Sequence, residues 1–297
     1  MKFSLWLPPA LPWNDLSTAA QHAARAGWRG LWLEDHFMDN TAEPNDGPRG
    51  ECLTQLTALA ATVPGVRIGS MVLGNTYRHP AIVAKQAAAL SDISGGRFVL
   101  GVGAGWQENE HRAFGIEFGD VPDRIRWFRE ALEVITRLRD EEFVDHAGER
   151  YTLERASLNP KPHATLPILV GGSGEKVMPK IVSRYADEWN HWSLPERFAA
   201  KKAIFDAALE RAGRSENSLW RSTQAVVFFD DAEKAAALAA KGRPAIGGSS
   251  QQIADHMNAY AAAGVDEFIL PVTTLTDPAA IADTGDRFLA EVAPQVA

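Results

Sequence analysis

The sequence predicts an α/β protein, a (β/α)8 TIM barrel with insertion segments that occupies residues 1–297 as one domain. Short apolar runs alternate with longer amphipathic stretches along the whole chain, which is typical of repeated βα units and a parallel sheet. The length of 297 residues suits this fold, because such barrels commonly reach about 250 residues or more as a single domain. A hydrophobic fraction of 45% is sufficient to bury a core of that size.

Eight strands are predicted from the apolar runs, at Phe3–Leu7, Gly30–Glu34, Arg67–Leu73, Phe98–Val102, Ile168–Gly171, Glu188–His191, Ser222–Phe229 and Glu267–Pro271. A helix is predicted after each strand, in the order Leu16–Ala26, Glu51–Thr62, Ala81–Ile93, Asp123–Arg139, Glu175–Tyr185, Pro195–Ala212, Ser250–Ala263 and Pro278–Ala293. Asp15 is a candidate N-cap of the first helix, and Gly27 and Gly264 follow the first and seventh helices as C-terminal glycines do.

Three connections are longer than the rest, at residues 36–50, 104–122 and 141–166. Long loops in a compact domain are usually functional or mobile. The first two leave the C-terminal ends of strands, where barrel enzymes build their sites. The third follows a helix, so we interpret it as an insertion with a small hairpin around Asp145–Tyr151.

The composition limits the kinds of partner that the chain can have. Its 38 acidic and 30 basic residues give a net charge of −8, which argues against broad attraction to nucleic acid or anionic lipid. The single cysteine, Cys52, suits a reducing compartment, and we find neither a signal-peptide pattern nor an apolar run of about 18 residues. We therefore expect a soluble cytoplasmic protein whose partner is a small-molecule substrate, with no nucleic acid and no membrane.

Polar residues follow the second predicted strand at the expected catalytic face. Asp35 and His36 are suited to orienting a substrate, hydrogen-bonding a ring or exchanging a proton, and the ordinary pKa of histidine near 6.5 favours the last role for His36. The alternative is that Asp35 caps a turn and His36 is merely solvated. The barrel context favours the functional interpretation.

The fourth predicted strand runs into a glycine-rich loop, GVGAGWQENEH at residues 101–111. Gly103, Ala104 and Gly105 allow backbone to approach a flat ligand or an anion, and Trp106 is suited to stacking on a ring. A plain tight turn is the alternative. The loop matches the dinucleotide pattern GxGxxG only in part, since Gln107–Glu108 replaces the third glycine, so the support for a Rossmann fold is weak.

Two further strand ends carry candidate residues. LVGGSGEK at residues 169–176 offers backbone N–H groups and the Ser173 hydroxyl to a phosphate at a helix N-terminus, or else Ser173 simply caps that helix. After the third strand, residues 75–79 offer side chains at the mouth, and Pro80 is expected to begin a helix. Tyr77 and Arg78 are the more interesting of these, although an arginine near a helix start is more often a surface charge.

In these segments the chain resembles the luciferase-like monooxygenase superfamily, and within it the F420-dependent hydride-transfer enzymes. The strongest stretch, residues 76–106, reads TYRHPAIVAKQAAALSDISGGRFVLGVGAGW. Supporting segments are Asp35–Phe37, Asn159–Pro162, Gly171–Gly174, Tyr185–Asn190 and Ala263–Phe268. The match is ordered along nearly the whole chain.

The resemblance implies a bacterial-luciferase-like barrel with a deazaflavin or flavin across the strand ends and the cofactor phosphate near Gly172–Gly174. It also implies a cis non-proline peptide at Met71–Val72, and it places His36 beside the cofactor. Trp106 aligns where some relatives have an acidic residue, and Glu108 lies nearby in sequence. The residues expected to bind the cofactor are Asp35, Ser70, Met71, Val72, Asn75, Gly103, Ala104, Gly105, Gly171, Gly172, Ser173 and Gly174, and the expected catalytic residues are His36, Trp106 and Glu108.

Hydride transfer between F420 and a small organic substrate is the leading hypothesis, with His36 as proton donor or acceptor. An FMN-dependent two-component monooxygenase on the same fold is the alternative, and a non-catalytic flavin- or deazaflavin-binding protein is another. A metal-dependent hydrolase is disfavoured because no His-x-His pair occurs, and no metal is expected. The resemblance also implies a homodimer packed through the helices after the second and third strands.

Overall fold

The structure is a computed structural model that describes residues 1–41 and 46–296. The strands in chain order are β1 Lys2–Trp6, β2 Gly30–Leu33, β3 Arg67–Ser70, β4 Leu73–Gly74, β5 Phe98–Gly103, β6 Val144–Ala147, β7 Thr152–Ala156, β8 Ile168–Gly171, β9 Glu188–Trp192, β10 Trp220–Gln224, β11 Val226–Phe229, β12 Ala245–Gly248 and β13 Glu267–Pro271. The α-helices are α1 Trp13–Ala26, α2 Cys52–Thr62, α3 Pro80–Ile93, α4 Glu108–Phe114, α5 Val121–Asp140, α6 Met178–Tyr185, α7 Pro195–Arg211, α8 Ala232–Ala240, α9 Ser250–Ala262 and α10 Pro278–Arg287.

The order of the elements and their parallel pairing confirm the predicted (β/α)8 barrel fold. The chain divides into two compact units, residues 1–32 with 171–297, and residues 33–170. In the first unit β1 pairs with β2 and β13, and β10 pairs with β13 and β9, all in parallel. In the second unit β5 pairs in parallel with β3, β4 and β8.

Burial along the strands explains why they read as continuous apolar runs. Every residue of β5, from Phe98 to Gly103, is buried. A parallel strand covered by helices on one face and by core side chains on the other has no solvent-exposed face, so apolar and polar residues do not alternate along it. Gly101 is required within this strand, because a Cβ there would lie 1.8 Å from the carbonyl oxygen of Ser70.

Two predicted strands are interrupted in the structure. The strand predicted at Arg67–Leu73 divides into β3 and β4 around a cis peptide at Met71–Val72. The strand predicted at Ser222–Phe229 divides into β10 and β11, and β11 pairs with β12 in a separate two-stranded parallel sheet. Helix α8 and β12 were not predicted, because an alanine run and a Gly-Gly pair carry little periodic signal.

The predicted starts of two helices were wrong. Helix α1 begins at Trp13 directly after Pro12, so Asp15 lies in its first turn and does not cap it. Helix α6 begins at Met178, so Ser173 is not its N-cap either. Pro179 explains the later start, since a proline is tolerated in the first turn but would remove an interior hydrogen bond from a helix that began at residue 175.

Other local predictions are confirmed. Gly27 adopts the left-handed conformation after α1, with φ of 98°. Pro80 is the first residue of α3. The insertion forms the expected hairpin, with β6 and β7 antiparallel on either side of residues 148–151. Of the loop predicted at residues 36–50, residues 42–45 lie outside the described part of the chain.

Glu267, at the start of β13, is a buried acid in the unit of residues 1–32 and 171–297. Its carboxylate accepts hydrogen bonds from the Ser4 hydroxyl and, at 2.9 Å, from Trp220 Nε1. Arg29 Nε lies 3.6 Å from the same carboxylate, and the Glu267 side chain is 0% exposed. The charge is therefore held by donors from three other segments of this unit.

Glu267→Gln should lower the free energy of unfolding by about 2–3 kcal/mol, because charge-assisted hydrogen bonds are lost and an amide N–H is turned toward other donors. Urea denaturation of the purified protein measures the change. Glu291→Gln is the control, since the Glu291 side chain is 48% exposed and also faces an arginine. Equal denaturation midpoints for the two variants would contradict the structural role of Glu267.

Candidate active site

His36 lies three residues beyond the end of β2 and is hydrogen-bonded to Glu110 of α4. Its Nδ1 is 2.8 Å from Glu110 Oε1. The His36 side chain is 20% exposed, whereas the Glu110 side chain is 0% exposed. The imidazole is thus partly accessible to a ligand, while the carboxylate that holds it is fully buried.

Two further donors satisfy the Glu110 carboxylate. The backbone N–H of Phe37 donates to Glu110 Oε2 at 2.8 Å. The Tyr77 hydroxyl donates to Oε1, the oxygen that also faces His36. A buried carboxylate needs such partners, because an uncompensated charge away from water is costly.

The contacts shift the pKa values of this cluster in consistent directions. Burial opposes the charged form of His36, but the hydrogen bond and the negative charge of Glu110 outweigh it and raise the pKa of His36 above 6.5. For Glu110, burial likewise opposes the charge, yet the hydrogen bonds from His36, Tyr77 and Phe37 lower its pKa. Burial and the Glu110 carboxylate both raise the pKa of Tyr77, so its phenol stays protonated and donates.

Asp35 forms a second buried ion pair, with Arg78. Arg78 Nη1 and Nη2 lie 2.6 and 2.8 Å from the two Asp35 oxygens, and the backbone N–H of Gly74 donates to Asp35 at 3.0 Å. Arg78 also donates to Glu51. The Arg78 side chain is only 13% exposed, so the interpretation of Arg78 as a surface charge was wrong.

The pairing of Asp35 leaves little of its carboxylate for a ligand. Burial opposes the charge of Arg78, but the hydrogen bond and charge of Asp35 raise its pKa, and the guanidinium remains charged. The pair ties the segment after β2 to Gly74 at the end of β4. Contact of Asp35 with a cofactor remains a prediction, and the structure shows the residue in a supporting position.

Trp106 and Glu108, the other predicted catalytic residues, lie in exposed positions. Trp106 is 61% exposed, and its ring meets the His36 ring edge-on at 5.3 Å between centroids. Glu108 is the exposed first residue of α4. The acid in contact with His36 is Glu110, which the sequence analysis missed.

The sequence signal that could have identified Glu110 is a helical pattern at the end of residues 101–111. Gln107, Glu110 and His111 are buried while Glu108 is exposed, as expected for residues three and four apart on one helix face. Helix α4 spans only Glu108–Phe114, and such a short helix is hard to recognise in a segment interpreted as a loop.

The third strand carries the peptide that the resemblance implies. The bond Met71–Val72 is cis, which confirms that expectation. Ser70 is buried, and its hydroxyl donates to the carbonyl of Gly101 at 2.8 Å while accepting from the Gly101 N–H at 3.0 Å. The Asn75 N–H donates to the carbonyl of Gly103, and the Asn75 side chain interacts with the Tyr151 phenol.

Unused backbone donors suit the cofactor that the resemblance implies. In the unit of residues 33–170, the N–H groups of Ala104 and Gly105 donate to none of the described residues. In the other unit, the same holds for the N–H groups of Ser173 and Gly174, and both residues are at least partly exposed. Free N–H groups in small-residue loops fit a ring carbonyl or a phosphate.

The side chains of Lys201 and Trp189 hold the segment of residues 172–175 in place. Lys201 Nζ donates to the Ser173 carbonyl at 2.8 Å and to Glu175 at 2.6 Å. Trp189 Nε1 donates to the Gly172 carbonyl at 2.8 Å. The Gly172 N–H donates to the Asn190 carbonyl at 3.0 Å, whereas none of these contacts uses the N–H groups of Ser173 and Gly174, which stay available to an anion.

Among residues 1–41 and 46–296, no three or more His, Cys, Asp or Glu side chains are grouped so that they would hold a metal ion. None of the helices described there combines the length and apolarity that a membrane crossing requires.

Comparison with known proteins gives a family match and matching solved folds. The model of the luciferase-like monooxygenase family matches residues 1–267. An F420-dependent glucose-6-phosphate dehydrogenase of Kineococcus radiotolerans is 31% identical over 222 residues, which are 73% of this chain and 65% of that protein. The alignment therefore spans slightly less than two thirds of that relative.

Two solved structures cover the chain almost completely. An F420-dependent secondary alcohol dehydrogenase, in complex with an F420-acetone adduct, matches with a TM-score of 0.85 at 21% identity over 100% of both chains. The monooxygenase RslO1 of Streptomyces bottropensis matches with a TM-score of 0.81 at 19% identity over 99% of both chains. At these identities the likeness establishes the fold, which is shared by deazaflavin and monooxygenase enzymes.

Proposed function

Because the chain belongs to the luciferase-like monooxygenase family, we propose that it is an oxidoreductase that transfers a hydride between coenzyme F420 and a small organic substrate. The observation that carries the proposal is the partly exposed His36 imidazole, whose Nδ1 is fixed by a buried carboxylate. Such a group is suited to moving a proton beside a hydride transfer. The F420-dependent glucose-6-phosphate dehydrogenase among the relatives supports the choice of cofactor.

The residues supply proton transfer and orientation, and bound F420 supplies the hydride acceptor or donor. In the oxidising direction His36 Nε2 would accept the hydroxyl proton of an alcohol substrate, which would become a carbonyl compound once bound F420 had taken up the hydride. In the reducing direction His36 returns that proton to oxygen. Trp106, whose ring meets that of His36 edge-on, shields the reacting groups from water.

The expected cofactor contacts divide between two sets of residues. Met71, Val72, Asn75 and the backbone of residues 103–105 form the set that meets the ring. Residues 171–174 form the set that takes the phosphate, with the N–H groups of Ser173 and Gly174 and the Ser173 hydroxyl as donors. Asp35 and Ser70 support the ring contacts by hydrogen-bonding to the backbone of Gly74 and Gly101. Glu108 remains a candidate for proton exchange with solvent.

Titration of the purified protein with F420 and, separately, with reduced and oxidised FMN tests the cofactor assignment. We expect F420 to bind at micromolar concentration or tighter and FMN to bind at least tenfold more weakly. Turnover is then screened with F420 and a panel of secondary alcohols, sugar phosphates and α,β-unsaturated carbonyl compounds. Micromolar FMN binding without F420 binding would instead support the two-component monooxygenase, and F420 binding without turnover would support a binding protein.

We also propose that the chain works as a single-domain protein and as a cytoplasmic homodimer. The continuous family match over residues 1–267 supports the single domain. Helix α3 supports the dimer, since Ile82 and Ile93 are 55% and 45% exposed on a helix that the resemblance assigns to an interface. Sedimentation of the purified protein gives its mass in solution.

A further inference from the structure

We propose that Glu110 is the positioning residue of the active site: it fixes the proton of His36 on Nδ1, and the first turn of α4 holds the loop that carries His36. The proposal rests on the proposed function in one respect, the role of His36 in proton transfer. The geometry of the His36–Glu110 pair is independent of that role.

The donor and acceptor chemistry of the pair fixes the tautomer. An ionised carboxylate only accepts hydrogen bonds, so the 2.8 Å contact requires a proton on His36 Nδ1. The other ring nitrogen, Nε2, makes no hydrogen bond with any residue in the described ranges. Every protonation change of the ring therefore takes place at Nε2, on the atom that a ligand can reach.

The loop after β2 is bound by α4 through its backbone as well. Gln107 Nε2 donates to the carbonyl of Met38 at 2.8 Å, and Asn109 Nδ2 donates to that of Asp39 at 2.8 Å. Together with the Phe37 N–H on Glu110, these contacts hold a backbone group of each of the three residues that follow His36. The loop cannot shift along α4 without breaking them together.

Helix α4 is also hydrogen-bonded to the segment after β4. His111 Nε2 lies 2.6 Å from Thr76 Oγ1, and His111 Nδ1 lies 2.6 Å from the Gln107 carbonyl. Burial lowers the pKa of His111, so this ring stays neutral in its bridging position. Glu110 thus lies on a turn that is bonded to the segment after β2 and to the segment after β4, which limits the positions open to its carboxylate.

A glutamine at position 110 has the same shape as glutamate but differs in hydrogen bonding and charge. Its amide keeps one acceptor oxygen, carries an NH2 donor in place of the other, and has no charge. Glu110→Gln therefore weakens the hold on the Nδ1 proton and removes the charge that favours the imidazolium. Tyr77→Phe acts in the other direction, because losing the phenol donor leaves the carboxylate more negative toward His36.

The test measures the imidazole nitrogen shifts and the pKa of His36 by NMR on histidine-labelled protein without cofactor. His36→Asn identifies the resonance. In the wild type we expect a protonated Nδ1 and a pKa above that of an exposed histidine. Glu110→Gln should lower the pKa of His36 and Tyr77→Phe should raise it. Glu117→Gln, whose side chain follows α4 and is 65% exposed, is the control and should leave it nearly unchanged.

Opposite shifts of the His36 pKa in the two variants support the positioning role, because a merely structural contact would not produce them. An unchanged pKa in both variants, or a proton on Nε2 with Nδ1 bare in the wild type, overturns it. If Glu110→Gln does not fold, the upward shift in Tyr77→Phe alone decides between the same outcomes. Failure of F420 to bind would end the proposed function without affecting these shifts, so the two failures are distinguishable.

Discussion

Replacing His36 with asparagine lowers the turnover number about 10²–10⁴-fold, the usual contribution of a positioned general acid or base. Asparagine retains a side-chain donor toward Glu110 and so preserves part of the local packing. It has no group that titrates near neutral pH, and the proton of the substrate hydroxyl must pass to water. Steady-state kinetics with F420 and a substrate found in the screen measure the loss.

F420 affinity should change only a few-fold in this variant, because the ring and phosphate contacts are proposed to lie on other residues. His22→Asn is the matched control, since His22 of α1 is bound to Asp286 and has no proposed catalytic role. A His36→Asn enzyme that keeps most of its turnover number would remove His36 from proton transfer and leave the cofactor assignment standing.

Arg78→Met should lower the free energy of unfolding by about 3–5 kcal/mol, the largest effect on stability that we expect. Methionine fills a similar length but leaves the carboxylate of Asp35, which is 0% exposed, without a counter-charge. Guanidinium chloride denaturation measures the change, with retention of the folded circular dichroism spectrum as the starting condition.

The double variant Asp35→Asn/Arg78→Met separates loss of charge balance from loss of packing. Removing both charges should recover part of the stability that Arg78→Met loses. Arg126→Met is the control, since the Arg126 side chain is 45% exposed and its ion pair lies in solvent. If the double variant is less stable than Arg78→Met, the loss of stability in Arg78→Met does not come from the unpaired charge of Asp35.

The fold was predictable because its main signal is periodic. Buried parallel strands such as β5 are uninterrupted apolar runs, and helices such as α1 end at glycines, so local sequence determines both. The predictions failed where the periodicity was weak or the chain changed direction within a run. Helix α8 is mostly alanine, and the bend after Ser70 divides one apolar run into β3 and β4.

Of the candidate site, the strand-end residues were predictable and their partners were not. His36 and Asp35 stand at a strand end, a position that sequence periodicity reveals. Their partners Glu110 and Arg78 lie 74 and 43 residues further along the chain, and no local pattern pairs residues across such distances. The partners determine which acid is buried and which ring nitrogen of His36 faces it, and both became visible only in three dimensions.

The exposed ring of Trp106 and the buried carboxylate of Glu110 both contact the same histidine. Under the proposed function, Trp106 borders the substrate, whereas Glu110, whose side chain is 0% exposed, acts only through His36. Substitutions at Trp106 are therefore expected to change which substrates bind while the His36–Glu110 pair is retained.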